Sequence, residues 1–107
     1  MPRYIPLTST EQVDAVLRDS GEQPVAFFKH STTCSISSLA KARLDRALVD
    51  EDVDVYVLDL LRFRSVSSYL AELSGVRHES PQLLVFKGGQ VVYDGSHLDI
   101  EPHYVLN

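Results

Sequence analysis

The chain carries a single cysteine, Cys34, among 107 residues, so no internal disulfide can form. That excludes the disulfide-stapled secreted scaffolds and makes a reducing cytoplasm the expected compartment. No apolar run approaches the roughly 20 residues of a membrane helix, so no membrane role is expected. The stretch Met1-Pro2-Arg3-Tyr4-Ile5-Pro6 lacks the apolar core of a signal peptide. The net charge is −5, with no Lys/Arg cluster or aromatic–basic stripe, so nucleic acid is a poor partner. His30, His78, His97 and His103 show no ligand spacing, and one cysteine makes no zinc site, so no metal is expected. Repeats, linkers and low-complexity segments are also missing. What remains is 44% hydrophobic and 23% charged residues, an ordinary globular composition for a single domain over residues 1–107.

Against these absences the surroundings of Cys34 stand out. Residues 24–29, Pro-Val-Ala-Phe-Phe-Lys, read as a buried strand, and residues 35–49 read as an amphipathic helix. Cys34 is thereby expected at a strand-to-helix turn, beside the first N–H groups of a helix. Those groups lack intrahelical partners and carry the positive end of the helix dipole. Both favour a thiolate, lowering a thiol pKa from about 8.5 toward the range of about 3.5–7.5. A lone cysteine is ordinarily a small buried hydrophobe. Here Ser31, Thr32, Thr33, Ser35, Ser37 and Ser38 surround it, which suits an open loop better than a core. A cysteine hydrolase would further need an orienting group and an oxyanion hole, and neither occurs at recognisable spacing.

The remaining elements follow from periodicity and punctuation. Thr8 and Ser9 can cap a helix whose inner face is Val13, Val16 and Leu17, with Gly21 as its stop. The helix after Cys34 carries Ile36, Ala40, Leu44, Ala47 and Leu48 at helical spacing. Residues 53–59 form a largely apolar, β-branched run, the profile of a central strand. Ser65 can cap a third helix containing Val66, Tyr69, Leu70 and Leu73, ended by Gly75. Residues 82–87 and 90–94 flank Gly88-Gly89, a hairpin signal. A short closing helix is expected near 100–106, with Pro102 in its first turn. The order α-β-α-β-α-β-β-α implies an α/β domain in which a right-handed βαβ unit is extended by an antiparallel hairpin. The expected solution is a four-stranded mixed sheet with helices on both faces, the layout of the thioredoxin-like fold.

The layout assigns roles by resemblance. Cys34 ends the first of the expected strands, as the reactive cysteine of thioredoxin-like proteins does. Ser80-Pro81 precedes the hairpin, where that fold carries a cis-proline facing the cysteine and the preceding residue offers backbone groups to an extended substrate. Ser37 occupies the place of the resolving cysteine of a Cys-x-x-Cys motif, which leaves monothiol exchange as the available chemistry. Lys29 and His30 either lower the Cys34 pKa and meet an anionic ligand, or form a charged strand end in water. Thr33 and Ser37 either hydrogen-bond the sulfur or act as plain caps. His78 and Glu79 are read as shaping the proline loop.

His30-Ser31-Thr32-Thr33-Cys34-Ser35-Ile36-Ser37 resembles the active-site stretch of the monothiol bacilliredoxins, proteins of the bacillithiol redox system. His78-Glu79-Ser80-Pro81-Gln82 resembles that family's proline segment, and Asp94-Gly95-Ser96-His97 its closing segment. The likeness runs from about residue 8 to about residue 100. Ser35 stands where the family usually has proline and so restores an N–H at the first helical position. The resemblance implies a thiol–disulfide oxidoreductase with Cys34 as nucleophile and Thr33, Ser35, Ser37, Ser80, Pro81, Ser96 and His97 around the substrate. In related glutaredoxins the turn matching Ser96 and His97 holds a carboxylate of glutathione. The resemblance also implies no bound cofactor, bacillithiol as co-substrate, bacillithiolated client proteins as partners, and indirect dependence on a flavin-containing bacillithiol disulfide reductase. The alternatives are a thioredoxin-like peptide-binding module and a redox sensor, both without turnover.

Overall fold

The computed structural model describes residues 2–31 and 35–106. Its elements are β1 (Arg3–Pro6), α1 (Thr10–Ser20), β2 (Val25–His30), α2 (Ser35–Ala47), β3 (Asp54–Asp59), α3 (Arg64–Ser74), β4 (Gln82–Lys87) and β5 (Gln90–Ser96), followed by two 3-10 turns, His97–Asp99 and Pro102–Leu106. The sheet has five strands in the order β1-β3-β2-β4-β5. β1 and β2 run parallel to β3, whereas β4 is antiparallel to β2 and β5 to β4.

The fold is the expected one with an added strand. Pro2 and Pro6 bracket residues 3–5 and hide the strand signal there, because proline cannot donate to a ladder. At a sheet edge that loss is harmless. Tyr4 pairs with Val55, its hydroxyl donates to Asp45, and Lys41 lies 4.2 Å above its ring. β1 is thus held to both β3 and α2.

Alternation along β2 divides the core. Ala26 and Phe28 face a cluster with Ala40 and Leu44 of α2 and Leu48 just after it, whereas Val25 and Phe27 face Val13 of α1 and Val66 and Leu70 of α3. Helices therefore cover both faces of the sheet, as five consecutive buried residues in β2 require. Three expected core positions lie outside: Ile36 is 42% and Leu73 43% exposed, and Ala47 is exposed too. Each sits at the margin of its helix's apolar stripe, where the sheet no longer reaches.

The caps divide in the same way. Ser9 caps α1 by accepting from the Gln12 N–H at 3.1 Å, while the Gln12 side chain accepts from the Thr8 N–H at 2.9 Å. Ser65 does not cap α3. That helix starts two residues earlier, at Arg64 after Phe63, with no side-chain cap. Gly75 ends it in the left-handed conformation and donates its N–H to the Ala71 carbonyl. The closing helix is replaced by the two 3-10 turns, the second opened by Pro102. Asp99 ends the first of them.

Candidate functional site

The site is assembled from two strand ends. β2 and β4 pair antiparallel up to Lys29 opposite Gln82, so the next positions, His30 and Pro81, lie side by side. The Ser80–Pro81 bond is cis, as expected from the layout. On the other side of β4, Gln82 pairs with Ser96, and the His97 N–H donates to the Pro81 carbonyl at 2.8 Å. The structure thereby brings together Ser80, Pro81, Ser96 and His97. Glu79 and His97 approach at 3.5 Å, so this acidic residue ties the proline segment to the end of β5.

The second half lies where β2 hands over to α2. Ser31 is the last described residue before the connection and Ser35 the first after it, as the first residue of α2. Cys34 and Thr33, expected as nucleophile and neighbour, lie outside the described residues. What brackets them is clear. Ser37 is fully buried, and its hydroxyl accepts from the Ser31 N–H at 3.3 Å. The residue in the resolving position therefore clasps the end of β2 to the first turn of α2. Ser35 by contrast is exposed, consistent with a position open to substrate.

Lys29 and His30 point to opposite faces, as neighbours in a strand must. His30 stacks on Phe28 with ring centroids 5.8 Å apart, and its Nδ1 is buried without a hydrogen-bond partner among the described residues. Burial lowers its pKa, and nearby Lys41 lowers it further against the opposing effect of Asp59, so the neutral ring is favoured. Lys29 is not a solvated strand end: its side chain is completely inaccessible. The amine donates to the Ser67 carbonyl at 3.3 Å and lies 3.1 Å from His78 Nδ1. Ser67 Oγ is itself 3.0 Å from the same nitrogen. Burial pulls the Lys29 pKa down to about 8.

His78 therefore does more than shape a loop; it ties the segment before Pro81 to β2 and α3 together. Sequence reading does not single out Ser67 or Arg64 at all. Ser67 looks like one more polar residue in an amphipathic helix, and only the packing of α3 over β2 shows that it meets a lysine. Ser80 Oγ, like His30 Nδ1, is buried without a partner among the described residues. No group of three His, Cys, Asp or Glu gathers as a metal site among the described residues, and no helix among them is long and apolar enough to cross a membrane.

A cis-proline beside the C-terminal end of the strand that leads to the cysteine, in a mixed sheet flanked by helices, defines a protein of the thioredoxin fold. Solved structures agree. A protein described as an oxidoreductase candidate with a thioredoxin fold matches with a TM-score of 0.85 and 35% identity, over 96% of this chain and 89% of that one. Thioredoxin from Malassezia sympodialis matches at TM-score 0.72 and 15% identity, over 97% and 88%, and thioredoxin NaTrxh from Nicotiana alata at 0.71 and 18%, over 90% and 82%. The last two share the fold alone. The model of the family described as monothiol bacilliredoxin BrxC matches residues 5–105. The chain belongs to the monothiol bacilliredoxin family, within the thiol-redox proteins of thioredoxin fold.

Proposed function

We propose that the chain is a monothiol thiol–disulfide oxidoreductase that removes bacillithiol, or a similar low-molecular-weight thiol, from protein mixed disulfides through Cys34. The observation that carries this reading is the pairing register that sets His30, at the exit of β2 toward Cys34, beside Pro81. A disulfide laid along Ser80 would run past the end of β2, four residues before Cys34 in the sequence. Ser35 follows the nucleophile in sequence as the exposed first residue of α2, buried Ser37 anchors that first turn to Ser31, Thr33 precedes the nucleophile in sequence, and Ser96 and His97 border the proline segment.

The chemistry takes two exchanges. The Cys34 thiolate attacks the bacillithiol sulfur of the mixed disulfide; that S–S bond breaks, and the client leaves as a thiolate that takes a proton from water. A free bacillithiol, as its thiolate, then attacks the capped Cys34. Bacillithiol disulfide leaves and the Cys34 thiolate is restored. Bacillithiol is thus a co-substrate rather than a bound cofactor, and a separate flavin-dependent reductase would recycle its disulfide. No second protein thiol is needed, in keeping with a serine at position 37.

Intact mass after incubation with bacillithiol disulfide, and separately with glutathione disulfide, tests the reading. One cap should appear on the wild-type chain, be removed by the free thiol, and be missing in Cys34→Ser. A chain that takes no cap from either disulfide is a binding module instead. One that takes a cap but cannot pass it on is a sensor.

A further inference from the structure

We propose that the cavity between α3 and the segment before Pro81 is a carboxylate subsite for the low-molecular-weight disulfide that reacts at Cys34, an inference that rests on the exchange reading above. The cavity has a volume of about 420 Å³ and is lined by Leu60, Arg64, Ser67, Ser68, Ala71 and His78. No aspartate or glutamate is among these residues. Arg64, which is exposed, makes no ion pair among the described residues.

Behind the wall sits a cation with no counter-ion among the described residues. Lys29 is fully buried, and its described partners, the Ser67 carbonyl and His78 Nδ1, are both neutral. Its neighbours across the sheet, Leu58 and Gln82, are uncharged. Glu79, the carboxylate of the proline segment, lies 3.5 Å from His97 and also acts on His78, where burial and Lys29 outweigh it and keep the ring neutral. An ammonium has three N–H donors and no acceptor, so it can donate to Nδ1 only if the imidazole proton sits on Nε2. His78 lines the cavity, and its Nε2–H is then the ring's remaining donor. Arg64, the hydroxyl of Ser68 and this N–H are the groups available to a carboxylate, since the Ser67 hydroxyl donates its one proton to His78 Nδ1. Leu60 and Ala71 supply apolar wall that strengthens charge attraction.

The placement suits a ligand that also reaches the cysteine. Lys29 precedes Ser31, the last described residue before Cys34, by two residues, at most on the order of 7 Å of extended chain, and His78 precedes Ser80 by two. The ligand class is therefore a low-molecular-weight thiol with a carboxylate several bonds from its sulfur, a class that includes bacillithiol and glutathione.

The test compares kcat/KM for bacillithiol disulfide with that for uncharged hydroxyethyl disulfide in the wild type, Arg64→Gln, Lys29→Met and, as a control outside the cavity, Arg18→Gln. A parallel NMR titration follows the His78 ring with succinate and with uncharged succinamide. The charged-to-uncharged ratio should fall about tenfold in Arg64→Gln and in Lys29→Met and stay at the wild-type value in Arg18→Gln. Succinate, not succinamide, should shift the His78 resonances saturably, and less so in Arg64→Gln. A ratio that moves no more in Arg64→Gln than in Arg18→Gln, or no saturable succinate shift, overturns the proposal. If Arg64→Gln impairs removal of bacillithiol from acidic clients but leaves the small-disulfide ratio intact, the cavity serves the client's carboxylate and the small-thiol assignment is wrong. A chain that exchanges no disulfide yet binds succinate at His78 refutes the exchange reading and leaves the anion site standing.

Discussion

Lys29 is held in place by tertiary packing against its own solvation preference. A buried ammonium is costly, and proteins answer by pairing it or lowering its pKa. Here the pKa falls to about 8 through burial. In the unfolded chain a lysine stays protonated to about pH 10.4. Below pH 8 both states hold the proton and the cost is constant. Between about pH 8 and 10.4 the unfolded state binds more protons, so the Lys29 contribution to stability rises with pH. Denaturant unfolding of wild type and Lys29→Met across this window should differ by a pH-dependent amount of up to roughly 3 kcal/mol. Equal pH slopes would mean that Lys29 is solvated. Ser37 poses the opposite case, a small hydroxyl fully buried for a specific bond to the Ser31 N–H. Ser37→Cys restores Cys-x-x-Cys spacing and should let an internal disulfide form, read as loss of two hydrogens by mass on mild oxidation. A cost of about 1 kcal/mol in the reduced state is expected for the lost hydrogen bond.

At the scale of elements, the β4–β5 hairpin carries the second half of the site. Tyr93 stacks on Tyr104 with centroids 4.1 Å apart and an interplanar angle of 9°, and its hydroxyl accepts from the Glu101 N–H at 2.8 Å. That ring also covers Gly95, where a Cβ would lie 2.2 Å from the Tyr93 hydroxyl oxygen. Gly95 is thus required by a close approach. Gly95→Ala should push Tyr93 off Tyr104, loosen the closing 3-10 turns and destabilise by roughly 1–3 kcal/mol, the range for overpacking. Near-ultraviolet circular dichroism of the tyrosines together with urea unfolding would check this, and a neutral result would show that the ring can move aside freely. For α1, Ser9→Ala should cost about 1 kcal/mol, because Ser9 alone answers the Gln12 N–H.

Across the whole molecule, β1 decides which strand is the edge. With residues 1–6 present, the outer strand is short and bracketed by prolines, which blunts pairing with other chains. Without them, β3 would present Asp54 to Val57 as an unpaired edge. Removing residues 1–6 should lower stability by roughly 2–4 kcal/mol, at about 1 kcal/mol for each lost ladder bond, and should promote concentration-dependent association. Size-exclusion chromatography against concentration would show it; a truncated chain as stable and monomeric as the full one would make β1 dispensable.

The elements legible in the sequence were those with local causes. Periodicity marks α1, α2 and α3, Gly75 ends α3, and Gly88-Gly89 joins β4 to β5, because each depends on residues a few positions apart. Local context marked Cys34, resemblance added Ser80 and Pro81 as site residues, and the cis bond at Pro81 is present. Other features have causes far apart in the chain. β1 forms only because β3, some fifty residues later, offers its edge. Ser65 lost its capping role because Phe63 enters α3 from the core. The burial of Lys29 follows from β2 lying beneath α3, and its meeting with His78 joins residues 49 positions apart. Sequence alone determined the class of fold and marked the lone thiol as the candidate nucleophile. Tertiary structure decided which charges lost their water and where a cavity opened beside them, since burial is a property of what packs against a residue and not of the residue.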